Sequence, residues 1–392
     1  MRTYEKTHQF IKFSLDLRNA PVSLWITLGE CQSKCDAISN INLTPAIAEN
    51  IKNLYQAKGF LATLAIESNT LTEQEVIQHL DNKLEIPQSR AYLVQELDNI
   101  ITCHRFILEN MGEIRAGKQA LNPGLVKKLN ELILAGLNLE EGAAPGQVRQ
   151  REKQVIHYRP APAQDCEFLL ERLCDWINRK TFTAPSGMAI VYGLIKAVVT
   201  HLYLAWIHPF GDGNGRTARL LEMLILQSAG VPSPASQLLT IHYHLTRSEY
   251  FRQLDQSSRA GGEVEPFLLY AAQGFRDSLT ALLELIHRDQ AQTLWQAHVF
   301  RTFQNQTGPA TERQRRLILA LSAADRPVPL NELPDLSPFL AKVYAARSMK
   351  TLARDVQALI QMGLAEKVEA GIRARREVLA AFQPIQPAEL LG

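Results

Sequence analysis

The chain has 392 residues, with 42 Lys and Arg against 40 Asp and Glu, a formal net charge of +2. Apolar residues make up 46% and charged residues 21%, as in ordinary globular protein. The near balance of charge excludes a whole-molecule field for nucleic acid or membrane and leaves only local patches, and the length allows two or three domains with a sizeable core.

In chain order, Met1-Arg2-Thr3-Tyr4-Glu5-Lys6 leads into no sustained apolar run, so no secretory leader is expected. Residues 45–67 carry Ile47, Ile51, Leu54, Leu61 and Leu64 at helical spacing. Ser68-Asn69 interrupts, and Thr72-Glu73-Gln74-Glu75 reads as a capping box that starts another helix near Glu73. Helices are predicted over residues 90–111 and 124–137. Residues 142–162, with Gly142, Pro145, Gly146, Pro160 and Pro162, read as a loop and a short hairpin. Helices follow over 165–180, 187–207, 213–228 and 266–303. The stretch 188–207 has the length of a membrane span, but Lys196 and His201 lie inside it, so it reads as a buried core helix.

Residues 304–312 are polar, with Gly308 and Pro309, and are the candidate linker. Beyond it come a helix over 313–323, a turn region with Pro327, Pro329 and Pro334, a helix over 348–362, and two short strands around Ala370-Gly371. Helix, turn, helix, hairpin is the order of a winged helix. The expected division is 1–110, 111–303 and 304–392. Cys31, Cys35, Cys103, Cys166 and Cys174 are odd in number and match no zinc spacing, so they read as reduced thiols of a cytosolic protein.

The chemistry concentrates in His208-Pro209-Phe210-Gly211-Asp212-Gly213-Asn214-Gly215-Arg216-Thr217-Ala218-Arg219. Gly213-Asn214-Gly215 lies between a loop and a helix start, where glycines permit close backbone approach and free N–H groups point at an anion. The glycine spacing is neither a Walker A loop nor a dinucleotide fingerprint. Arg216 and Arg219 share one helix face, and two guanidinium groups there call for phosphate between them. Asp212 offers an oxygen ligand for Mg2+ beside those phosphates, or a helix cap. His208, at the end of the preceding helix, is placed to take a proton from a hydroxyl. Phe210 is an apolar plug.

These twelve residues resemble the signature of the Fic family. The resemblance implies a mainly α fold: a Fic-type helical core with a β-hairpin flap, followed by a C-terminal winged helix. It implies a protein adenylyltransferase that moves AMP from ATP, with Mg2+, onto a Ser, Thr or Tyr hydroxyl of a target protein. His208 would be the base and Asp212 the metal ligand. Gly213, Asn214, Gly215, Arg216, Thr217, Ala218 and Arg219 would hold the phosphates. Thr63-Leu64-Ala65-Ile66-Glu67-Ser68 is similar to the inhibitory helix of a subgroup in which the glutamate, here Glu67, pairs with the second arginine, here Arg219; Thr63 shares its helix face. Ser68 departs from the usual Gly or Asn. In some relatives that glutamate aligns a water for AMP removal, so a deAMPylating or bifunctional enzyme stays open. Thr246 stands where relatives usually carry Asn near the nucleoside, and Tyr250 either flanks the adenine or packs in the core.

Residues 146–160 occupy the place of the flap, where a target segment adds as a strand; their charge either tunes target choice or marks a solvated hairpin. In the C-terminal module Lys350, Arg354, Arg373, Arg375 and Arg376 would meet DNA, or the module serves protein contacts, which leaves a DNA-binding regulator or toxin–antitoxin component as the rival reading. Self-modification and a homodimer remain open, and no membrane partner is expected.

Overall fold

A computed structural model describes residues 2–115, 120–155, 159–259 and 261–379. The helices are α1 (Thr3–Thr7), α2 (Val22–Asn40), α3 (Pro45–Ile66), α4 (Glu73–Leu80), α5 (Ala91–Arg115), α6 (Pro123–Leu134), α7 (Cys166–Ile177) and α8 (Ala189–Ile207). They continue with α9 (Asn214–Ser228), α10 (Leu238–Leu245), α11 (Arg247–Arg259), α12 (Glu265–Thr302), α13 (Pro309–Leu321), α14 (Pro338–Ala345) and α15 (Met349–Gln361). Strands β1 (Ala365–Val368) and β2 (Gly371–Ala374) pair antiparallel, Ala365 opposite Ala374 and Val368 opposite Gly371.

The chain forms two compact units, Met1–Glu284 and Leu285–Gly392. The division falls inside α12, ahead of the linker expected at 304–312, because Trp295, Val299 and Phe303 are buried with Leu317, Leu333, Leu352 and Leu359. No division falls near residue 110. It would cut α5, which packs on α3, α6 and α9.

At the centre of the first unit lies α8. Sixteen of its residues are buried, from Ile190 to Ile207, so the segment with the length of a membrane span is the core helix of this unit. It packs on α2, α7 and α9. The five cysteines are buried free thiols.

The start of α4 carries the expected capping box, with Thr72 Oγ1 accepting from Glu75 N and the Glu75 carboxylate from Thr72 N. Pro45 at the first position of α3 and Thr44 as its cap fix where that helix begins. It ends at Ile66, and Ser68 supplies the left-handed turn there with φ 73°. No hairpin forms among the described residues between Gly146 and Pro160. A single β-bridge joins Val148 to Phe210, and residues 156–158 lie outside the described residues. In the second unit β1, β2 and a bridge from Val328 to Ile372 close over α13 and α15.

Candidate active site

The loop between α8 and α9 is built from inside outwards. Helix α8 stops at His208, which takes a left-handed conformation, φ 49° and ψ 58°, with its N–H on Leu204 O at 2.8 Å. Pro209 cannot continue the helix. One buried arginine then pins the turn. Arg149 donates from Nε to His208 O at 2.8 Å and from Nη1 to Arg151 O at 2.9 Å, while Nη2 reaches Ala161 O. Its own N–H meets Pro209 O at 2.9 Å. Fixing the His208 carbonyl fixes where the imidazole can swing.

Asn214 and Asn130 close the loop from behind. The Asn214 side chain accepts from Phe210 N at 2.9 Å and donates to Phe210 O at 2.8 Å. Asn130 donates to Asp212 O at 2.9 Å and accepts from Gly146 N at 3.0 Å. Gly213 has φ 75°, and a Cβ on it would stand 2.9 Å from Asn130 Nδ2, so glycine is required there on two counts. Thr217 is fully buried and donates to Gly213 O at 2.8 Å, and Ala218 is buried as well. Both face the interior, so the anion-facing side of α9 consists of its first N–H groups, Gly215, Arg216 and Arg219.

That face already holds an anion. Glu67, just past α3, places Oε1 2.7 Å from Arg219 Nη2, and a Cβ on Gly215 would collide with the same oxygen. The carboxylate therefore sits over the start of α9, where exposed N–H groups and the helix dipole favour negative charge. Arg219 is 2% exposed and donates Nε to Thr63 Oγ1 at 2.9 Å and Nη2 to Thr63 O at 3.1 Å. Burial acts to raise the pKa of Glu67, but Arg219, Arg216 and Arg247 outweigh it, so the value is lowered and the group stays ionised. The His208 pKa is pushed down to about 3, first by burial and then by Arg149 and Lys153, which keeps the imidazole neutral.

Arg216 is 5% exposed. It meets Glu96 Oε1 at 3.2 Å and Asp212 Oδ1 at 3.3 Å, while its buried Nε has no hydrogen-bond partner. Two long contacts and one unused donor describe a guanidinium that is not saturated by the protein alone.

Tyr250 proves to be core. It is 2% exposed, stacks on Tyr243 with centroids 4.7 Å apart, and has its hydroxyl 2.9 Å from His201 Nε2. The Arg219 guanidinium acts on the Tyr250 hydroxyl electrostatically, so Tyr250 bears on the site through Arg219. Behind it His201 Nδ1 lies 3.4 Å from Glu222 Oε2, and Tyr243 donates to Glu222 Oε1 at 2.9 Å. Thr246 is half-buried and spends its hydroxyl on His242 O at 2.7 Å and Tyr270 at 2.6 Å. Its neighbour Arg247 donates to Ile66 O at 2.9 and 3.2 Å, capping the carbonyl end of α3 beside Glu67.

Sequence reasoning missed Arg149, Asn130, Glu96, His201 and Glu222. Arg149, Asn130 and Glu96 lie well outside the motif in sequence, and only the fold brings them to the loop, whereas His201 and Glu222 sit a few residues to either side of it and meet behind Tyr250. The one usable signal was the position of His201 and Lys196 in an otherwise apolar run.

Residues 95–226 match the Fic/DOC family profile. The chain is 27% identical over 245 residues to a protein adenylyltransferase Fic from Nematostella vectensis, covering 61% of this chain and 47% of that one. It is 28% identical over 214 residues to the protein adenylyltransferase fic-1 of Caenorhabditis briggsae, covering 54% and 38%. The chain thus spans less than half the length of these relatives. A crystal structure of a Fic family protein from Desulfovibrio desulfuricans G20 superposes with a TM-score of 0.54 at 21% identity, over 93% of this chain and 94% of that one. Taken with the geometry of the loop and α9, these matches show that residues 95–226 carry a Fic/DOC family domain.

Proposed function

We propose that the protein is an adenylyltransferase that moves AMP from ATP to a hydroxyl of a target protein and that Glu67 restrains it. The observation that carries this reading is the carboxylate of Glu67 resting on Arg219 at the start of α9, 2.7 Å from the guanidinium. An anion site that one carboxylate fills is a site a phosphate can take, and the two compete for one cation.

In the open state the N–H groups at the start of α9, with Arg216 and Arg219, bind the triphosphate. The neutral His208 imidazole accepts the proton of the target hydroxyl. The hydroxyl oxygen forms a bond to the α-phosphorus, the bond to the bridging oxygen breaks, and pyrophosphate leaves with that electron pair. Positioning and charge neutralisation carry the rate. Asp212 would hold Mg2+ together with phosphate oxygens, where the ion would offset charge on the phosphates. A single carboxylate suits an ion that arrives on a nucleotide, since Mg2+ readily takes substrate phosphates and water for its other positions, and no cluster of three metal-binding side chains occurs among the described residues.

A second reading has support from the 37% exposure of the Glu67 side chain. A carboxylate on a partly exposed side chain beside the phosphate site can align a water on the phosphorus of a modified target, which releases AMP and restores the hydroxyl. For the second unit we propose a winged helix, with α15 and the β1–β2 hairpin as its reading elements and Lys350 and Arg354 toward DNA. Arg373 there is already paired with Glu366. Buried thiols throughout support a cytoplasmic setting.

The test is labelling with α-labelled ATP and Mg2+. Weak self-labelling is expected of wild type, strong labelling of Glu67→Gly, and none of Glu67→Gly/His208→Ala. Equal labelling of wild type and Glu67→Gly would remove the restraint and keep the enzyme. No labelling in any form would remove the transferase.

A further inference from the structure

Glu96, on α5, stands between the two halves of the site. One carboxylate oxygen takes Arg216 Nη1 at 3.2 Å, and the other takes Asn69 Nδ2 at 2.7 Å. Asn69 lies two residues beyond Glu67 and is 7% exposed. Its amide also donates to Leu93 O at 3.2 Å, and its Oδ1 accepts from Leu71 N at 3.0 Å. That one side chain stitches the loop behind the restraining glutamate to α5, and Glu96 is the charged end of the stitch.

The balance at Arg216 decides what this arrangement does. The guanidinium has only long contacts to Glu96 and Asp212, and its buried Nε is unpartnered. A triphosphate offers it several charged oxygens in bidentate geometry, a stronger partner than one carboxylate at 3.2 Å. As the guanidinium turns to phosphate, Glu96 loses its cation and faces a new negative charge. Like charges at such a range repel, the more so where water is scarce. The pull falls on Asn69, two residues from Glu67.

We propose that Glu96 is a positioning residue that couples occupancy of Arg216 to the hold of Glu67 on Arg219. With Arg216 free of phosphate, Glu96 anchors the loop at 67–71 and keeps the restraint seated. With phosphate on Arg216, the anchor weakens and the restraint lifts. Coupling of this kind is reciprocal, so the seated restraint also weakens nucleotide binding at Arg216. The inference rests on the phosphate-binding reading of Arg216.

The test uses the full chain as wild type, Glu96→Ala, Asn69→Ala, their double variant, and Glu96→Ala in the Glu67→Gly background. Glu96→Gln serves as the variant that keeps side-chain volume. Loss of the anchoring hydrogen bond is expected to raise wild-type labelling by about fivefold, equivalent to about 1 kcal/mol. Asn69→Ala gives a similar rise, and the double variant adds nothing to either, because both break the same link. In the Glu67→Gly background Glu96→Ala brings no further rise. Hydrogen exchange of the amides at 67–72 gives a readout without turnover: ATP lowers protection in wild type, and Glu96→Ala lowers it without ATP.

An equal fall of labelling in both backgrounds would mean that Glu96 merely supports the fold or Arg216, and would overturn the coupling. So would protection at 67–72 that ignores both ATP and the substitution. If Glu67→Gly fails to label at all, the transferase reading falls, while exchange and ATP calorimetry still decide the coupling.

Discussion

His208 is held neutral by burial and by the cations near it. Burial removes the hydration an imidazolium would need, and Arg149 and Lys153 add repulsion, so its pKa falls from 6.5 to about 3. Because the folded value lies below the unfolded one, the unfolded chain takes up this proton first. Stability from the group is complete above about pH 6.5 and is lost as pH falls toward 3. As the base of the proposed transfer, His208 stays available through the ordinary histidine range. The kcat/KM of Glu67→Gly, measured between about pH 5 and 7, is expected to show no acid limb from His208; a limb near the unperturbed histidine value that disappears with a change at His208 would contradict it. The motif residues were legible individually: their types declare base, anion cradle and cations. What the motif does not declare is the environment of each. Thr217 and Ala218 turn inward because helix α9 is buried on nearly every side, with Gly215 the least covered residue of its first turn, and Tyr250, on α11, is buried against Tyr243 and His201.

At the scale of elements, the first turn of α9 sets substrate access and stability against each other. Gly215 is a helical residue that alanine would favour by about 0.5 kcal/mol or more. Yet its missing Cβ is what admits an oxygen of Glu67, or a phosphate, to the helix end. In the Glu67→Gly background, Gly215→Ala is expected to raise the unfolding midpoint in scanning calorimetry and to cut ATP labelling by on the order of tenfold; full labelling would show that the close approach is not needed. The helices with strong apolar periodicity or a cap were readable: α3, α4, α8 and α9 lie within two residues of expectation. The short α10, α11 and α14 were not, since their burial comes from long-range packing and their sequences are mixed. Among the described residues of 146–160 the expected hairpin gives way to one bridge from Val148 to Phe210, with the Arg149 N–H bonded to Pro209 O instead of to a hairpin strand.

At the scale of the molecule, the two units have separate cores, and the second is organised around a buried charge. Asp355 accepts from Arg313 Nε at 2.5 Å and Nη2 at 2.9 Å, from Tyr344 at 2.9 Å and from Gln314 at 2.9 Å. Asp355→Ala leaves Arg313 buried without its partner, at a cost of about 3 kcal/mol. Hydrogen exchange is expected to show the loss across residues 309–379 while residues 189–228 keep their protection; loss in both would mean that the units unfold together. The boundary between them was not legible, because α12 runs through it as one unbroken helical pattern. The first unit also carries a small internal tension. Ser68 adopts φ 73° one residue after Glu67, a conformation that glycine takes freely and serine only at a cost on the order of 1 kcal/mol. A glycine there would deepen the closed basin and a β-branched residue would make it shallower. Under the proposed restraint by Glu67, neither would touch a group proposed to meet nucleotide, so this single torsion would act as a dial on basal output while the chemistry stays fixed.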